Sequence, residues 1–274
     1  MSNLKIVRVP IPTPTLWPHH TTNSYIIGTE KESILVDTGY DQEETKKELE
    51  KVILLTGIAR PKSIVLTHAH PDHAPGVNQL LDWNATIYCH PYELEDIKKS
   101  ISPMNNISTV EDGYTFEIEN EIITTIHAPG HTKGHLSLYI PSRNTLIAGD
   151  NIVAEGTTWI GPPDGDMSDY LSTLANFKTL NIDKIGPGHG EWVMNPYEQI
   201  EFVLQRRRQR EEQILELLKA QQNQDTKTLT KLIYKDSIHP SLFEVAKRTT
   251  EAHLIKLIKD GKVEQNGYCY SLKF

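Results

Sequence analysis

The segment His68-Ala69-His70-Pro71-Asp72-His73 places four side chains that can bind a metal ion within six residues. It directly follows an apolar run at residues 64–67 that is typical of a β-strand. Imidazole and carboxylate ligands together suit a divalent ion such as zinc. Because loop residues at a strand end can converge on one point, this spacing predicts a metal site. A polar loop that contains histidines by chance is a poor explanation.

Three later residues occur in one shared sequence context, a Gly- or Pro-containing turn after an apolar run. They are His131 after Ala128-Pro129-Gly130, Asp150 after Gly149, and His189 within Gly186-Pro187-Gly188-His189-Gly190. Each of them alone is typical of an ordinary turn. Together with the first cluster they form an ordered series that is specific for a metal centre.

This series, with Asp37 in the turn Val36-Asp37-Thr38-Gly39, resembles the motifs of the metallo-β-lactamase superfamily over about residues 4–195. The resemblance implies an α/β fold, namely a four-layer αβ/βα sandwich with two metals at one edge between its sheets. It implies one metal held by His68, His70 and His131, a second held by Asp72, His73 and His189, and a bridge from Asp150. Asp37 is expected to orient a ligand histidine.

The chemistry expected of such a centre is hydrolysis. Two divalent ions about 3.5–4 Å apart lower the pKa of a shared water toward neutrality and generate hydroxide at pH 7. Asp72 can bind metal and accept a hydrogen bond from that hydroxide, and Asp150 holds the cations close, so these are the two predicted catalytic residues. The expected cofactor is two Zn²⁺ ions, with Mn²⁺ or Fe²⁺ as alternatives. Related di-iron proteins that reduce oxygen carry Glu where this chain has His70.

Short runs rich in Ile, Val, Tyr and Thr must position these residues, and most of them are predicted to be strands. They are residues 24–28, 33–37, 63–67, 85–89, 121–127, 136–140 and 145–148. Amphipathic patterns predict helices at residues 42–55, with Asp41 as the N-cap, and at residues 168–180. This mixture of strands and covering helices indicates the α/β class.

A change of charge and pattern at Asn195-Pro196 predicts two domains. They are a catalytic domain at residues 1–195 and a linker helix with a winged-helix-like domain at residues 196–274. Residues 1–194 carry a net charge of −11, and residues 195–274 carry +3. The second part is expected to contain a helix from Pro196 to about Ala220 and helices at 228–234 and 241–259. A β-hairpin follows, with Asn266-Gly267 as a type I′ turn.

The winged-helix-like end narrows the resemblance to metallo-β-lactamase proteins with such a domain. That group includes the beta-lactamase-like endoribonuclease of animal mitochondria, which implies a phosphodiesterase or endoribonuclease acting on single-stranded RNA. The alternative is a hydrolase of small esters, thioesters or lactones, similar to hydroxyacylglutathione hydrolase in its metal motif. A third hypothesis is a nucleic-acid-binding regulator with a structural metal site, although such zinc sites have four ligands.

Charged residues outside the metal series bear on this choice. Four arginines fall within five positions: Arg206, Arg207, Arg208 and Arg210. They could neutralise phosphates, or they could form a solvated helix face paired with Glu211 and Glu212. The last helix carries Lys247, Arg248, His253, Lys256 and Lys259, and it could contact nucleic acid or act as a structural cap. Asp164, Asp166 and Asp169 would repel a phosphate backbone.

Composition sets the remaining expectations. The net charge of the 274 residues is −8, which taken alone argues against a nucleic-acid partner. That value averages an acidic first part and a slightly basic second part. The sequence has no apolar run of 18 residues, which excludes a membrane-spanning helix and a membrane partner. Two distant cysteines and an N-terminus without a signal core predict a cytoplasmic protein, with Cys89 in its core. His19 and His20, beside Trp17, are candidates for lining the substrate cleft.

Overall fold

The strand-rich and helix-rich parts of the chain belong to two different units. The computed structural model describes residues 3–14, 20–103, 106–235 and 238–273. Tertiary contacts assign Met1–Ala128, Gly134–Gly156 and Leu180–Pro196 to the first unit. They assign Pro129–Lys133, Thr157–Thr179 and Tyr197–Phe274 to the second unit. The second unit therefore includes two segments that precede residue 196 in the chain.

The first unit contains two sheets. The strands of the first sheet, which are neighbours in chain order, are β1 (Lys5–Pro12), β2 (Thr21–Gly28), β3 (Ser33–Val36), β4 (Ser63–Val65), β5 (Thr86–Cys89) and β6 (Asn106–Thr109). The pairs β1–β2 and β2–β3 are antiparallel, and the other pairs are parallel. The strands of the second sheet are β7 (Thr115–Ile118), β8 (Glu121–His127), β9 (Leu136–Ile140), β10 (Thr145–Gly149) and β11 (Lys184–Pro187). Here only β10–β11 is parallel among the described strands.

Two apolar cores hold these sheets in place. Helices α1 (Glu43–Thr56) and α2 (Leu94–Ser100) and a 3-10 segment at Pro75–Trp83 cover the outer face of the first sheet. Successive residues of a strand point to opposite faces, so Ile26 packs toward α1 while Tyr25 and Ile27 pack toward the second sheet. The first unit is thus built as layers of helix, sheet and sheet.

The second unit is mainly helical. Its elements are α3 (Met167–Phe177), α4 (Pro196–Ala220), β12 (Gln224–Asp225), α5 (Thr226–Tyr234), α6 (Phe243–Lys259), β13 (Val263–Asn266) and β14 (Cys269–Leu272). The three strands form a small sheet in the order β12-β14-β13. Ile214 and Leu218 of α4 pack with Leu229 of α5 and Leu254 of α6 in one apolar core. Helices followed by a hairpin match the winged-helix-like expectation.

Most elements predicted from sequence are confirmed, including all seven predicted strands and the start of α4 at Pro196. Asp41 as a helix cap is wrong, because Gln42 occupies that position and the Asp41 carboxylate instead accepts hydrogen bonds from Asn78 and Gln79. Helix α3 ends at Phe177, three residues earlier than expected.

The hairpin turn also differs from the prediction. Asn266 pairs with Cys269, so the two turn residues are Gly267 and Tyr268. Only Gly267 of these two has a positive φ, of 63°. A positive φ at the first central residue is typical of a type II′ turn and replaces the predicted type I′ turn.

Candidate metal centre

Side chains that follow three strands converge within the first unit. His68, Asp72 and His73 follow β4, Asp150 directly follows β10, and His189 follows β11. The ligand atoms of His68, His73 and Asp150 lie within 4.8 Å of one another, and so do those of Asp72, His73 and His189. Strand ends from both sheets therefore bring together residues that are up to 121 positions apart in the chain.

Several short distances join imidazole nitrogens to carboxylate oxygens or to each other. His73 Nε2 lies 3.2 Å from Asp150 Oδ1. His189 Nε2 lies 3.3 Å from Asp72 Oδ2 and 3.4 Å from Asp150 Oδ1. His68 Nε2 lies 2.9 Å from Nδ1 of His70. Each of these atoms can donate an electron pair to a metal ion.

Hydrogen bonds on the far side of two rings fix which nitrogen faces the centre. His73 Nδ1 donates to Asp37 Oδ2 at 2.7 Å, and His189 Nδ1 donates to the Thr21 carbonyl at 2.9 Å. A carbonyl or an ionised carboxylate only accepts, so the proton of each neutral ring lies on Nδ1. The Nε2 lone pairs then face the oxygens of Asp72 and Asp150. Such an arrangement is repulsive unless a proton or a cation lies between them, so the donor set fits divalent ions.

Asp37 contacts two of the candidate ligand histidines, His73 directly and His68 through Thr67. Besides His73, its Oδ2 accepts from the Thr67 hydroxyl at 2.8 Å, and its Oδ1 accepts from the Thr67 amide at 2.7 Å. Since that hydroxyl has used its only proton, its 2.9 Å contact with His68 Nδ1 is donated by the imidazole. His68 therefore also presents Nε2 to the centre. Thr67 was not singled out by the sequence pattern, although it directly precedes His68.

Two further buried residues that the sequence analysis missed hold the ligand loops. Thr22 donates from Oγ1 to Asp72 Oδ2 at 3.1 Å. The Glu93 carboxylate accepts from the Ala69 amide at 2.9 Å and from the Gly134 amide at 2.8 Å. These residues lie 50 and 24 positions from the groups they contact in the first ligand loop. No local spacing signal could have identified them.

The electrostatics of the centre favour cations. Burial opposes charge on His73, but the carboxylates of Asp150 and Asp72 outweigh it and raise the pKa of His73 well above its ordinary value. Burial of His189 also opposes its charged form, but the nearby Asp150 carboxylate outweighs this effect and raises the pKa of His189 to about 10. Burial of Asp72 is outweighed by His73 and His189, which lower the pKa of Asp72 to about 2. Burial of Asp150 is likewise outweighed by His189 and His73, which lower the pKa of Asp150 well below its ordinary value. Both carboxylates are thus ionised in the metal-free chain, and their charge attracts protons or metal ions.

Close packing explains the glycine before His189. A Cβ atom on Gly188 would overlap Oδ1 of Asp150. The Asp150 amide also donates to His135 Nε2 at 3.2 Å, so His135 is a hydrogen-bonded neighbour of the centre. Of the two cleft candidates, His19 lies outside the described residues and His20 is exposed.

His131 belongs to the second unit. It is buried, and its Nδ1 donates to the Trp159 carbonyl at 2.8 Å within that unit. The proton of the neutral ring is therefore on Nδ1, and Nε2 carries the lone pair that a metal requires. His131 lies in the segment Pro129–Lys133, and the residues on both sides of this segment belong to the first unit. There the Ala128 amide donates to the His135 carbonyl at 2.8 Å.

Comparison with known proteins identifies the family. A family model described as the metallo-beta-lactamase superfamily matches residues 17–189. The chain belongs to the metallo-beta-lactamase superfamily. A second model, the beta-lactamase associated winged helix domain, matches residues 226–269. The predicted α/β fold with a C-terminal winged helix is confirmed, and the protein is a metal-dependent hydrolase of this family.

Individual relatives cover most of the chain. A beta-lactamase-like protein 2 homolog of Caenorhabditis elegans is 31% identical, over 89% of this chain and 80% of its own length. An atrochrysone carboxyl ACP thioesterase of a Cryptosporiopsis species is 28% identical, over 94% of this chain and 81% of its own length. The crystal structure of a metallo-beta-lactamase family protein from Thermus thermophilus superimposes with a TM-score of 0.82 over 98% of both chains, at 22% identity.

No helix in the described part of the chain has both the length and the apolar character needed to cross a membrane.

Proposed function

We propose that this protein hydrolyses thioesters or closely related small carboxylic esters at a centre for two Zn²⁺ ions. His68, His70 and the predicted ligand His131 would hold one ion. The second ion would be held by Asp72, His73 and His189, with Asp150 between both ions. This assignment carries over the sequence prediction, and the tautomers fixed on His73 and His189 support it.

The side chains at the centre have separate tasks. When bound, two such ions supply hydroxide at neutral pH and stabilise an oxyanion. Asp72 would bind one ion and could accept a hydrogen bond from the attacking water, which would set the direction of attack. Thr22 fixes one Asp72 oxygen by donating to it. Asp150 supplies a second buried negative charge, which compensates the charge of the cations.

The choice of substrate rests on the basic side chains of the second unit, because several of them are already paired or buried within that unit. Lys256 lies 3.1 Å from Glu211 and 2.7 Å from Asp260. Lys259 pairs with Asp166, and Arg207 is buried. Phosphate binding would require Lys256 and Lys259 to exchange their existing ion pairs for new ones, and it would require Arg207 to leave its buried position. A small uncharged ester requires no such surface, and the similarity to an ACP thioesterase supports this class.

Hydrolysis of single-stranded RNA is the second candidate. The observation in its favour is that the Arg208 side chain is 61% exposed on α4, with only an exposed pair to Glu201 at 3.5 Å. The regulator with a structural metal site has less support, because the predicted ligand series exceeds the four ligands of a closed zinc site.

A substrate comparison tests the proposal. Zinc-loaded protein is assayed on an acyl-pantetheine thioester, a generic phosphodiester and single-stranded RNA. We expect thioester turnover that is lost in Asp150→Ala and retained in Asp96→Ala, a matched change in an exposed carboxylate that pairs with Lys99. RNA cleavage that requires Asp150, without thioester turnover, would replace the proposal with the second candidate. Fewer than two zinc ions per chain would contradict the dinuclear centre.

A further inference from the structure

Arg207 is unlike its neighbours on helix α4. Although the sequence allows all four arginines to form a solvated face, Arg207 is only 6% exposed. Arg208 pairs with the exposed Glu201, and Arg206 bonds Gln209 along the helix. The expectation of a solvated face is therefore wrong for Arg207. A buried guanidinium requires hydrogen-bond acceptors, and the acceptor it finds indicates a role.

That acceptor is the carbonyl of Thr158, to which the Arg207 guanidinium donates. The next carbonyl along the chain, that of Trp159, accepts the Nδ1 proton of His131 at 2.8 Å. Arg207 therefore holds a short backbone segment whose second carbonyl fixes the tautomer and the direction of the His131 ring. All of these residues belong to the second unit.

A second route joins Arg207 to the same loop. Its guanidinium carbon lies 5.5 Å from the ring centroid of Tyr170, which is fully buried on α3. The backbone of Tyr170 packs against Gly130, where a Cβ atom would overlap it and where φ is 136°. Thr173 of the same helix donates to the Pro129 carbonyl at 2.7 Å. Guanidinium, aromatic ring and glycine thus form a continuous packed path to the residue before His131.

Helix α4 is itself anchored around Arg207. One turn further on, Glu211 accepts from Lys256 of α6 at 3.1 Å, and both side chains are mostly buried. Further along, Ile214 and Leu218 lie in the apolar core that α4 shares with α5 and α6. The position of Arg207 along α4 is therefore set by the winged-helix part of the chain.

We propose that Arg207 is a positioning residue through which the C-terminal winged-helix part holds the metal ligand His131 by way of the Thr158 and Trp159 backbone. This proposal rests on the proposed function for the assignment of His131 as a ligand. It gives the C-terminal part a task at the metal centre that needs no nucleic acid.

The test measures metal affinity rather than activity alone. Zn²⁺ is titrated into the metal-free full chain against a chromophoric chelator for wild type, Arg207→Met and Arg208→Met. We expect Arg207→Met to bind one of the two ions about 3- to 10-fold more weakly, which is less than the loss typical when the direct partner of a ligand histidine is removed, because the Trp159 carbonyl is retained and only its support is lost. Arg208→Met, a matched change at the next residue, is expected to bind as wild type does.

Two further variants separate positioning from folding. Arg207→Lys keeps a donor and the charge, so it should recover most of the affinity. Arg207→Gln serves if the Met variant does not fold, and it is expected to lose about threefold in affinity in folded protein, within the range of a weakened hydrogen bond. Spectra of Co²⁺-loaded protein should change for one ion only, because the ligand set of the other is untouched.

The outcomes distinguish the two proposals. If wild-type protein does not bind two ions, the proposed function fails before Arg207 is considered. If wild type binds two ions and the folded Arg207→Met or Arg207→Gln variant binds both with unchanged affinity, the positioning role is overturned and the centre stands. Equal weakening in Arg208→Met would also overturn it, because the effect would then belong to the helix surface.

Discussion

Replacement of Asp37 by Asn tests the hydrogen-bond support of the metal centre most directly. The wild-type carboxylate accepts three hydrogen bonds of 2.7–2.8 Å, two from Thr67 and one from His73. An amide of the same shape has one oxygen, which can still accept from the Thr67 amide. Its NH₂ group then faces the Thr67 hydroxyl and His73 Nδ1, and both of these groups are donors in the wild type.

The cost follows from this mismatch. His73 can accept from the new amide only if its proton moves from Nδ1 to Nε2, and a protonated Nε2 cannot bind metal. We expect the affinity for the ion held by His73 to fall 10- to 100-fold, or about 1.4–2.8 kcal/mol. Each buried donor left without an acceptor adds about 1–3 kcal/mol of instability to the metal-free protein.

The measurement combines chelator competition for Zn²⁺ with thermal unfolding of the metal-free chain. Asp41→Asn is the control. The Asp41 carboxylate accepts hydrogen bonds as Asp37 does, in this case from the side chains of Asn78 and Gln79, but Asp41 is exposed. Loss of one ion in Asp37→Asn, with both ions retained in Asp41→Asn, is the expected result. Retention of both ions in Asp37→Asn, with affinities within twofold of wild type, would refute the inferred tautomers.

Three further predictions concern other parts of the chain. Gly188→Ala should weaken metal binding about 10-fold or more, because its Cβ overlaps Asp150 Oδ1; equilibrium dialysis with Zn²⁺ measures this, and wild-type binding would contradict the packing argument. Burial lowers the pKa of His253 to about 4, so the folded state binds fewer protons there than the unfolded state. Stability present above pH 6.5 is then lost as the pH falls toward 4, and His253→Gln should unfold with a flatter pH dependence in that window; a parallel shift at every pH would contradict this. Burial raises the pKa of Cys89 to about 12, so iodoacetamide at pH 8 should modify the half-buried Cys269 and spare Cys89 until the protein unfolds, as peptide mass mapping can check.

The candidate ligands could be predicted from the sequence because each of them lies in a local pattern, either the cluster at residues 68–73 or a turn just after a strand. Four of them lie within the six residues 68–73. Of the remaining three, Asp150 directly follows a strand, and His189 and His131 lie two and four residues past the end of one. The positions of strands are indicated by apolar runs and by the turn residues that follow them, and the side-chain types are given by the sequence itself. The two-part organisation was readable for a similar reason, because the helical pattern after Pro196 differs from the strand pattern before it.

The support of those ligands was decided by the tertiary structure. Asp37 meets Thr67 and His73, which lie 30 and 36 positions away, and Arg207 meets Thr158 across 49 positions. Contacts of this kind depend on which strands pair and which helix faces pack, and neither follows from local spacing. The burial of Arg207 could not be predicted from the sequence for the same reason. Arg206, Arg207 and Arg208 are alike in sequence, and only the packing of helix α4 buries Arg207 and leaves the other two exposed. Side-chain chemistry is a property of each residue, whereas a hydrogen-bond partner is a property of the folded chain.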